Sequence, residues 1–109
     1  MVVTDSQTEH QVRNVTIGRY IDTAPAAGFT ITLGYKPRYV KLQNLDSDGA
    51  VTVEWYEGMT DDTGWKSAKT GAGSILSSLG ITPSESGFAV GYDTDLCYAS
   101  EQISWIAFG

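Results

Sequence analysis

Between Phe29 and Tyr56, apolar and polar residues alternate with the period of two that is typical of half-buried β-strands. Two turn-forming stretches interrupt this alternation. Pro37 has no amide hydrogen to give to a strand ladder, and residues 44–49 are rich in Asn, Asp, Ser and Gly. The pattern predicts three consecutive strands in a meander, with an apolar face that the rest of the chain covers. Its apolar rows contain Phe29, Ile31, Leu33, Val40, Leu42, Val51, Val53 and Trp55.

Further strands are predicted on both sides of this meander. Residues 12–22 place Val15, Ile17, Arg19 and Ile21 on one face, and residues 88–90 form a short strand. Residues 81–83 fit a short edge strand because they include a proline. The Gly- and Ser-rich residues 70–78 allow one helical turn at most. The last strand, Gln102–Phe108, is apolar on both faces, which predicts a central strand covered on both sides.

Length and composition favour one small all-β domain. The chain has 109 residues, of which 41% are hydrophobic and only 18% charged, and it contains 12 glycines. Short strands with tight turns have this composition. We therefore expect a single-domain β-sandwich of jelly-roll type over residues 12–109, with about seven to eight short antiparallel strands. Residues 1–11 form a polar N-terminal arm, which is either a frayed terminus or a segment that orders on a neighbouring subunit.

The charge of the chain argues against two classes of partner. The formal net charge is −6, and the seven Lys and Arg residues are scattered along the sequence. Nucleic acids and anionic membrane surfaces both require a basic patch, so neither is an expected partner. A single cysteine, Cys97, excludes an internal disulfide, and no apolar run approaches the ~20 residues of a membrane span. With no apolar signal-peptide core at the N-terminus, the chain is expected to fold in a cytosol.

Few residues could carry out catalysis. His10 is the only histidine and lies in the polar arm, so no Ser-His-Asp or Cys-His arrangement can form in the folded body. Cys97 has no nearby cationic residue in sequence and is interpreted as a packed small hydrophobe. The carboxylate pairs Asp61–Asp62 and Asp93–Asp95 lie in polar loops of a domain too small for a deep cleft. The sequence therefore predicts a protein that is not an enzyme and has no cofactor.

A metal site is not predicted either. Asp46–Gly49 resembles a fragment of a calcium-binding loop, but a third acidic position and a later glutamate are absent. A turn closed by a side-chain hydrogen bond to the backbone explains this stretch more simply.

The aromatic residues admit three interpretations. Trp55, Tyr56 and Trp65 flank a loop that contains acidic residues. The two tryptophans could fill the core, stack on a sugar beside carboxylates, or lie at an interface between subunits, where Trp and Tyr are enriched. Tyr20, Tyr35, Tyr39 and Tyr56 lie on or near the face opposite the predicted core row and are candidates for such an interface.

Four stretches resemble a known group of proteins. They are residues 31–41 (ITLGYKPRYVK), 54–59 (EWYEGM), 87–91 (GFAVG) and 103–109 (ISWIAFG). Together they look like the small structural proteins of tailed bacteriophages that decorate and cement the capsid. The last stretch also resembles the final strand of β-sandwich modules in phage fibres. The resemblance covers most of residues 28–109 and includes no catalytic signature.

The resemblance implies a mechanical function. Such cement proteins are non-catalytic homo-oligomers, often dimers or trimers, that bridge neighbouring units of the major capsid protein lattice on the outer surface of the virion after assembly in the host cytoplasm. By this resemblance, we expect partner contacts in the arm and at Tyr35, Tyr39, Trp55, Tyr56 and Trp65. The alternatives are a receptor- or carbohydrate-binding β-sandwich module of a tail or fibre and a small adaptor with protein partners only.

Overall fold

The computed structural model describes residues 14–21, 28–46, 51–68, 70–91, 96 and 101–109. These residues form eight β-strands and no helix, and every pair of neighbouring strands is antiparallel. The order of strands across the sheet is β1-β8-β3-β4-β5-β6-β7-β2. The strands are β1 Val15–Ile21, β2 Phe29–Thr32, β3 Tyr39–Asn44, β4 Thr52–Tyr56, β5 Thr63–Ser67, β6 Gly73–Ser84, β7 Gly87–Val90 and β8 Gln102–Phe108.

The single sheet curls until strands from its two ends meet. Tyr20 of β1 and Phe29 of β2 lie at opposite edges of the strand order, yet their ring centroids are 4.5 Å apart. Phe88 of β7 packs edge-to-face on Trp105 of β8 at 5.6 Å. The prediction of an all-β chain with seven to eight antiparallel strands is confirmed. The finer prediction of a jelly-roll sandwich is not, since hydrogen bonding joins all eight strands in one curled sheet.

The core lies on the inner, concave face of this sheet. The apolar rows predicted for β3 and β4 are buried, while the row of β2 is half-buried and packs against them. Burying one large apolar side chain contributes about 1.5–3 kcal/mol, so this face supplies most of the stabilisation. The buried apolar residues are Val40, Leu42, Val51, Val53, Trp55, Ile81, Phe88, Val90, Leu96, Ile103 and Ala107.

The predicted meander is correct for β3 and β4 and wrong for β2. Strand β2 does not pair with β3 but with β7, where Phe29 lies opposite Val90. The segment between β2 and β3 directs the chain there, because the amides of Leu33 and Gly34 both donate to the carbonyl of Ser86, at 2.7 and 2.9 Å. Gly34 has a φ of 88°, which a glycine adopts without strain.

The helical turn allowed for residues 70–78 is wrong as well. Most of this stretch belongs to β6, a strand of 12 residues that pairs with β5 on one side and β7 on the other. The predicted short strand at 81–83 is the end of β6, where Ile81 pairs with both Thr63 and Val90 while Thr82 and Pro83 pair with β7 alone. Because the glycines and serines of this stretch give no alternation of apolar and polar residues, the sequence does not indicate a strand. The strand is recognised only from its pairing with β5.

A bulge divides β6 into two halves. Thr63 lies opposite Ile81 and Gly64 opposite Leu76, so residues 77–80 loop out of the ladder. Leu79 in this bulge has a φ of 61°, an unusual value for a bulky side chain. Two backbone hydrogen bonds hold the bulge, from Gly80 N to Asp62 O at 3.1 Å and from Gly91 N to Gly80 O at 2.8 Å.

Strand β8 is central in the sheet but is not covered on both sides by the described residues. It pairs with β1 and β3, as a central strand should. Its inward residues Ile103 and Ala107 are buried, whereas Ser104, Ile106 and Phe108 on the outer face are half-buried. The prediction of two covered faces is therefore corrected. The described part of the chain also contains no helix of the length and apolarity needed to cross a membrane.

Candidate functional site

The outer face of the sheet carries a group of aromatic side chains, which we call the aromatic patch: Tyr39, Tyr56, Trp65 and Phe108. The strand registers bring three of these rings together, because Tyr39 lies opposite both Tyr56 on β4 and Phe108 on β8. The ring of Tyr39 is 5.1 Å from that of Tyr56 and 5.5 Å from that of Phe108. In antiparallel sheets such cross-strand aromatic pairs contribute about 0.2–1 kcal/mol each.

The carboxylate of Glu54 fixes two of these rings. The hydroxyls of Tyr39 and Tyr56 both donate to its Oε2 atom, at 2.7 and 3.0 Å. Burial, and then the hydrogen bond to Glu54, raise the pKa of the Tyr39 phenol well above its ordinary value. The hydrogen bond to the same carboxylate raises the pKa of Tyr56. In their protonated form both phenols donate to this carboxylate, which fixes the orientation of the two rings on the outer face.

Trp65 extends the patch towards the β5–β6 hairpin. It lies opposite Glu54 on one side and opposite Ile75 on the other. A Cβ atom on Gly73 would come within 2.3 Å of its Cζ2 atom, so the indole covers the backbone of β6 at this glycine. Trp65 is still 40% exposed and Tyr56 is 50% exposed. Trp65 thus lies on the outer face beside Glu54, the residue that also holds Tyr39 and Tyr56.

The other two residues predicted to contact a partner occupy different places. Trp55 lies on the inner face with an exposed fraction of only 4%, and its indole Nε1–H donates to the carbonyl of Thr60 at 3.3 Å. Of the three interpretations of the tryptophans, burial in the core is therefore the correct one for Trp55. Tyr35 is half-buried in the segment after β2, where its hydroxyl donates to Ala107 O at 3.2 Å and lies 2.7 Å from Thr16 Oγ1. It ties this segment to β1 and β8.

A second outer surface was not assigned a role by sequence reasoning. We call it the β1 face: the outward side chains of β1, β8 and β3. Val15, Ile17 and Ile21 of β1 are exposed here, and Ile17 is 72% exposed. The sequence signal was the grouping of these residues with Arg19, since a charged side chain marks a solvent-facing row. A groove of about 180 Å³ crosses this surface, lined by Ile17, Lys41, Gln43, Ser104, Trp105 and Ile106.

The described residues offer no arrangement for metal binding. No group of three or more His, Cys, Asp or Glu side chains comes together among them. Asp46 belongs to the turn predicted from side-chain hydrogen bonding: its amide donates to Asn44 Oδ1 at 2.8 Å, and its own Oδ2 accepts from the amide of Gln102 at 2.8 Å. The rest of the calcium-like stretch lies outside the described residues.

Several other predictions also fall outside the described part of the chain. They concern the arm at residues 1–11 with His10, the packed Cys97 and the carboxylates Asp93 and Asp95. Asp61 and Asp62 are described, and they form a turn in which Asp62 has a φ of 63° and binds the backbone of β6. These hydrogen bonds are made by the backbone of Asp62, which holds the bulge, and not by its carboxylate.

The aromatic patch and the β1 face both expose apolar side chains with few polar groups between them. Such surfaces are suited to binding another molecule. Comparison of the chain with models of known protein families, with curated proteins and with solved structures finds no match.

Proposed function

We propose that this protein is a non-catalytic virion structural protein that binds and cements an assembled capsid shell, with the aromatic patch as its contact surface. One observation carries the proposal: large apolar side chains are exposed side by side on the outer face, although the same sheet has a well-packed inner face. Contiguous exposed apolar surface of this kind marks sites of protein–protein contact. The resemblance to capsid decoration proteins supplies the class of partner.

The patch has the composition and rigidity of an interface centre. Tyrosine and tryptophan are enriched at the buried centres of interfaces, and charged residues are depleted there. Because Glu54 already holds the hydroxyls of Tyr39 and Tyr56, these side chains lose little conformational freedom when a partner covers them. The Glu54 carboxylate already accepts hydrogen bonds from both hydroxyls, so it keeps these partners when another protein covers it.

As a decoration protein, the chain would stabilise the capsid because its binding is thermodynamically coupled to the mature form of the lattice. A protein that binds only the mature capsid lattice stabilises that lattice in proportion to its bound free energy. A homodimer or homotrimer would place several copies of the patch against neighbouring capsomers, so that moderate contacts add through avidity. The bound protein would lie on the outer surface of the virion, with assembly taking place in the host cytoplasm.

Co-sedimentation with expanded, empty heads of the particle whose genome encodes this chain tests the proposal. We expect saturable binding with a fixed ratio of chain to coat subunit, and no binding to unassembled coat protein. Trp65→Ala should weaken this binding while the melting temperature changes little. Lys36→Ala is the matched control, because Lys36 is exposed, lies outside the patch and pairs only loosely with Glu85 at 3.8 Å. Equal binding to free coat subunits, or no binding to any head form, would reject capsid decoration.

A second function is favoured by one feature of the patch. The exposed indole of Trp65 lies opposite Glu54 in the sheet, and an aromatic face beside a carboxylate is a common platform for sugars. A carbohydrate-binding module of a phage tail or fibre would use this pair. A glycan array separates the two functions: a glycan bound by the native chain and lost with Trp65→Ala supports the module, and an array without hits removes it.

A further inference from the structure

The two tyrosines of the aromatic patch use only one oxygen of the Glu54 carboxylate. The hydroxyls of Tyr39 and Tyr56 both donate to Oε2, at 2.7 and 3.0 Å. Among the residues that the structure describes, none donates a hydrogen bond to the other oxygen, Oε1. Each carboxylate oxygen has about two lone-pair sites. Both sites of Oε2 are therefore occupied, while Oε1 can still accept hydrogen bonds from a partner.

The nearest cation in the sheet does not neutralise this carboxylate. Lys41 on β3 lies directly opposite Glu54, yet no ion pair joins the two side chains, and the ion pairs of the described residues lie elsewhere. Lys41 lines the groove of the β1 face, on the side of β8. Glu54 is half-buried, so its charge is partly removed from water. Such a charge gains more from an added counter-charge than a fully exposed one does.

Trp65 provides a rigid aromatic surface on the other side of Glu54. The two residues lie directly opposite each other on β5 and β4. The Cβ atoms of such cross-strand pairs are about 4.5–5.5 Å apart. Gly73 supports the indole from one side, because a Cβ atom at this glycine would collide with the ring, and 40% of Trp65 remains exposed. An indole face held beside a carboxylate favours a cation, which the electrons of the ring attract.

Arginine fits this arrangement better than lysine. A guanidinium group is planar and weakly hydrated, so it can stack on an indole while its N–H groups donate to a carboxylate. A lysine ammonium is a compact, strongly hydrated point charge and cannot stack in this way. Lys41 opposes a bound cation only weakly, because Glu54 lies between Lys41 and Trp65. Two strand spacings, about 10 Å, separate Lys41 from Trp65, which is similar to the Debye length at physiological salt.

From the available Oε1, the missing ion pair and the supported indole, we propose that Glu54 and Trp65 bind an arginine side chain of the partner protein. The guanidinium stacks on the exposed face of Trp65 and donates to Oε1 of Glu54, while Tyr39 and Tyr56 keep their hydrogen bonds to Oε2. The net charge of −6 favours the approach of a basic segment. The inference rests on the proposed function, since it names the chemistry by which the aromatic patch recognises its protein partner.

Three peptides that differ in one residue test the proposal on the full chain. Each has capped ends and a central arginine, lysine or citrulline between two leucines, flanked by glycine and serine. Citrulline keeps the planar shape of arginine but carries no charge. We expect the arginine peptide to shift the indole N–H resonance of Trp65, with weaker binding of the lysine peptide and the weakest of the citrulline peptide. Equal binding of the arginine and citrulline peptides, or no binding of the arginine peptide, would overturn the proposal.

Charge-neutralising variants locate the site. Glu54→Gln should weaken binding of the arginine peptide by roughly fivefold, in the range of one partly exposed ion pair. Its amide oxygen can still accept the hydrogen bonds of Tyr39 and Tyr56. Glu85→Gln changes the net charge equally, but Glu85 is exposed and lies between β6 and β7, so its affinity should match that of the native chain. Equal losses in both variants would show that the peptide senses net charge alone, which would overturn the proposal.

A variant of the tryptophan tests the stacking contact. Trp65→Leu keeps an apolar side chain but removes the aromatic face, so it should reduce the preference for the arginine peptide over the citrulline peptide. An unchanged preference would reject stacking on Trp65.

The capsid experiment separates this inference from the proposed function. Capsid binding that Trp65→Ala weakens and Glu54→Gln leaves unchanged would reject the arginine site and leave decoration standing. Failure to bind any head form, with selective binding of the arginine peptide retained, would reject decoration and leave the arginine site standing. A glycan hit that both variants abolish, without binding of the arginine peptide, would assign this pair to a sugar and reject the arginine site.

Discussion

The inner and outer faces of the sheet are both lined by large apolar side chains, yet the residues that the structure describes cover only the inner face. On the inner face, Val40, Leu42 and Val53 are fully buried in one core. On the outer face, side chains such as Ile17, Tyr56 and Ile75 remain 50–72% exposed. Hydrophobicity alone therefore does not identify the core of this sheet. The curl of the sheet decides it, because only the concave face can pack against itself.

The contrast has a functional meaning. An exposed apolar side chain adds little to the stability of the monomer, so a row of them is better explained by a partner than by folding. The inner face holds the fold together, and the described part of the chain leaves the outer face exposed. Substitutions of the same residue type on the two faces should therefore separate stability from binding.

Trp55 and Trp65 give the largest expected difference. Trp55→Ala removes a buried indole and should lower the free energy of unfolding by about 3–5 kcal/mol. Trp65→Ala removes an indole that is 40% exposed and should cost about 1 kcal/mol. Urea unfolding followed by far-ultraviolet circular dichroism measures both without relying on tryptophan fluorescence. Equal losses for the two variants would show that Trp65 is part of the core.

Neighbouring residues of β1 provide a second pair. A Cβ atom on Gly18 would lie 2.4 Å from Cζ2 of Trp105, so Gly18→Ala must displace this ring and should cost about 1–3 kcal/mol. Ile17→Thr keeps a β-branched side chain on the exposed face and should change the stability by less than about 0.5 kcal/mol. Thermal unfolding of both variants checks this. A larger loss for Ile17→Thr would mean that the β1 face is covered in the folded chain.

Sequence reasoning succeeded where the structure depends on local alternation. The period of two assigned the correct faces to β3 and β4, so it placed Leu42 and Val53 inside and Tyr39 and Tyr56 outside. It also located β8, because the run Gln102–Phe108 carries apolar residues on both faces. Trp55 fell in the predicted inward row, and its burial follows from the same alternation that exposes Tyr56.

The incorrect predictions share one physical cause. The features concerned depend on strand pairing with residues that are distant in sequence. Alternation shows that Phe29–Thr32 is a strand but not that it pairs with β7. The Gly- and Ser-rich start of β6 becomes a strand only because Trp65 and its neighbours on β5 lie opposite. The β1 face was visible as a row containing Arg19, but its place beside Lys41 depends on β8 lying between β1 and β3. No local pattern specifies that order.

The smallest expected effect concerns pH, and it tests whether the aromatic patch is held by the fold. Burial and the hydrogen bond to Glu54 raise the pKa of Tyr39 above the ordinary value near 10, so the folded chain holds this proton more tightly than the unfolded chain. The resulting stabilisation is complete below pH 10 and is lost as the pH rises further, through the folded-state pKa. Urea unfolding at pH 8 to 11 should show this loss, and Tyr39→Phe should reduce it.

Glu54→Gln is the sharper variant, because the amide oxygen can still accept hydrogen bonds while the negative charge is gone. The phenols of Tyr39 and Tyr56 should then ionise at lower pH than in the native chain, which the absorbance of phenolate near 295 nm records. An unchanged titration would mean that Glu54 does not hold the two rings. In that case their order on the outer face would come from packing alone, and a partner would have to bear more of the cost of fixing them.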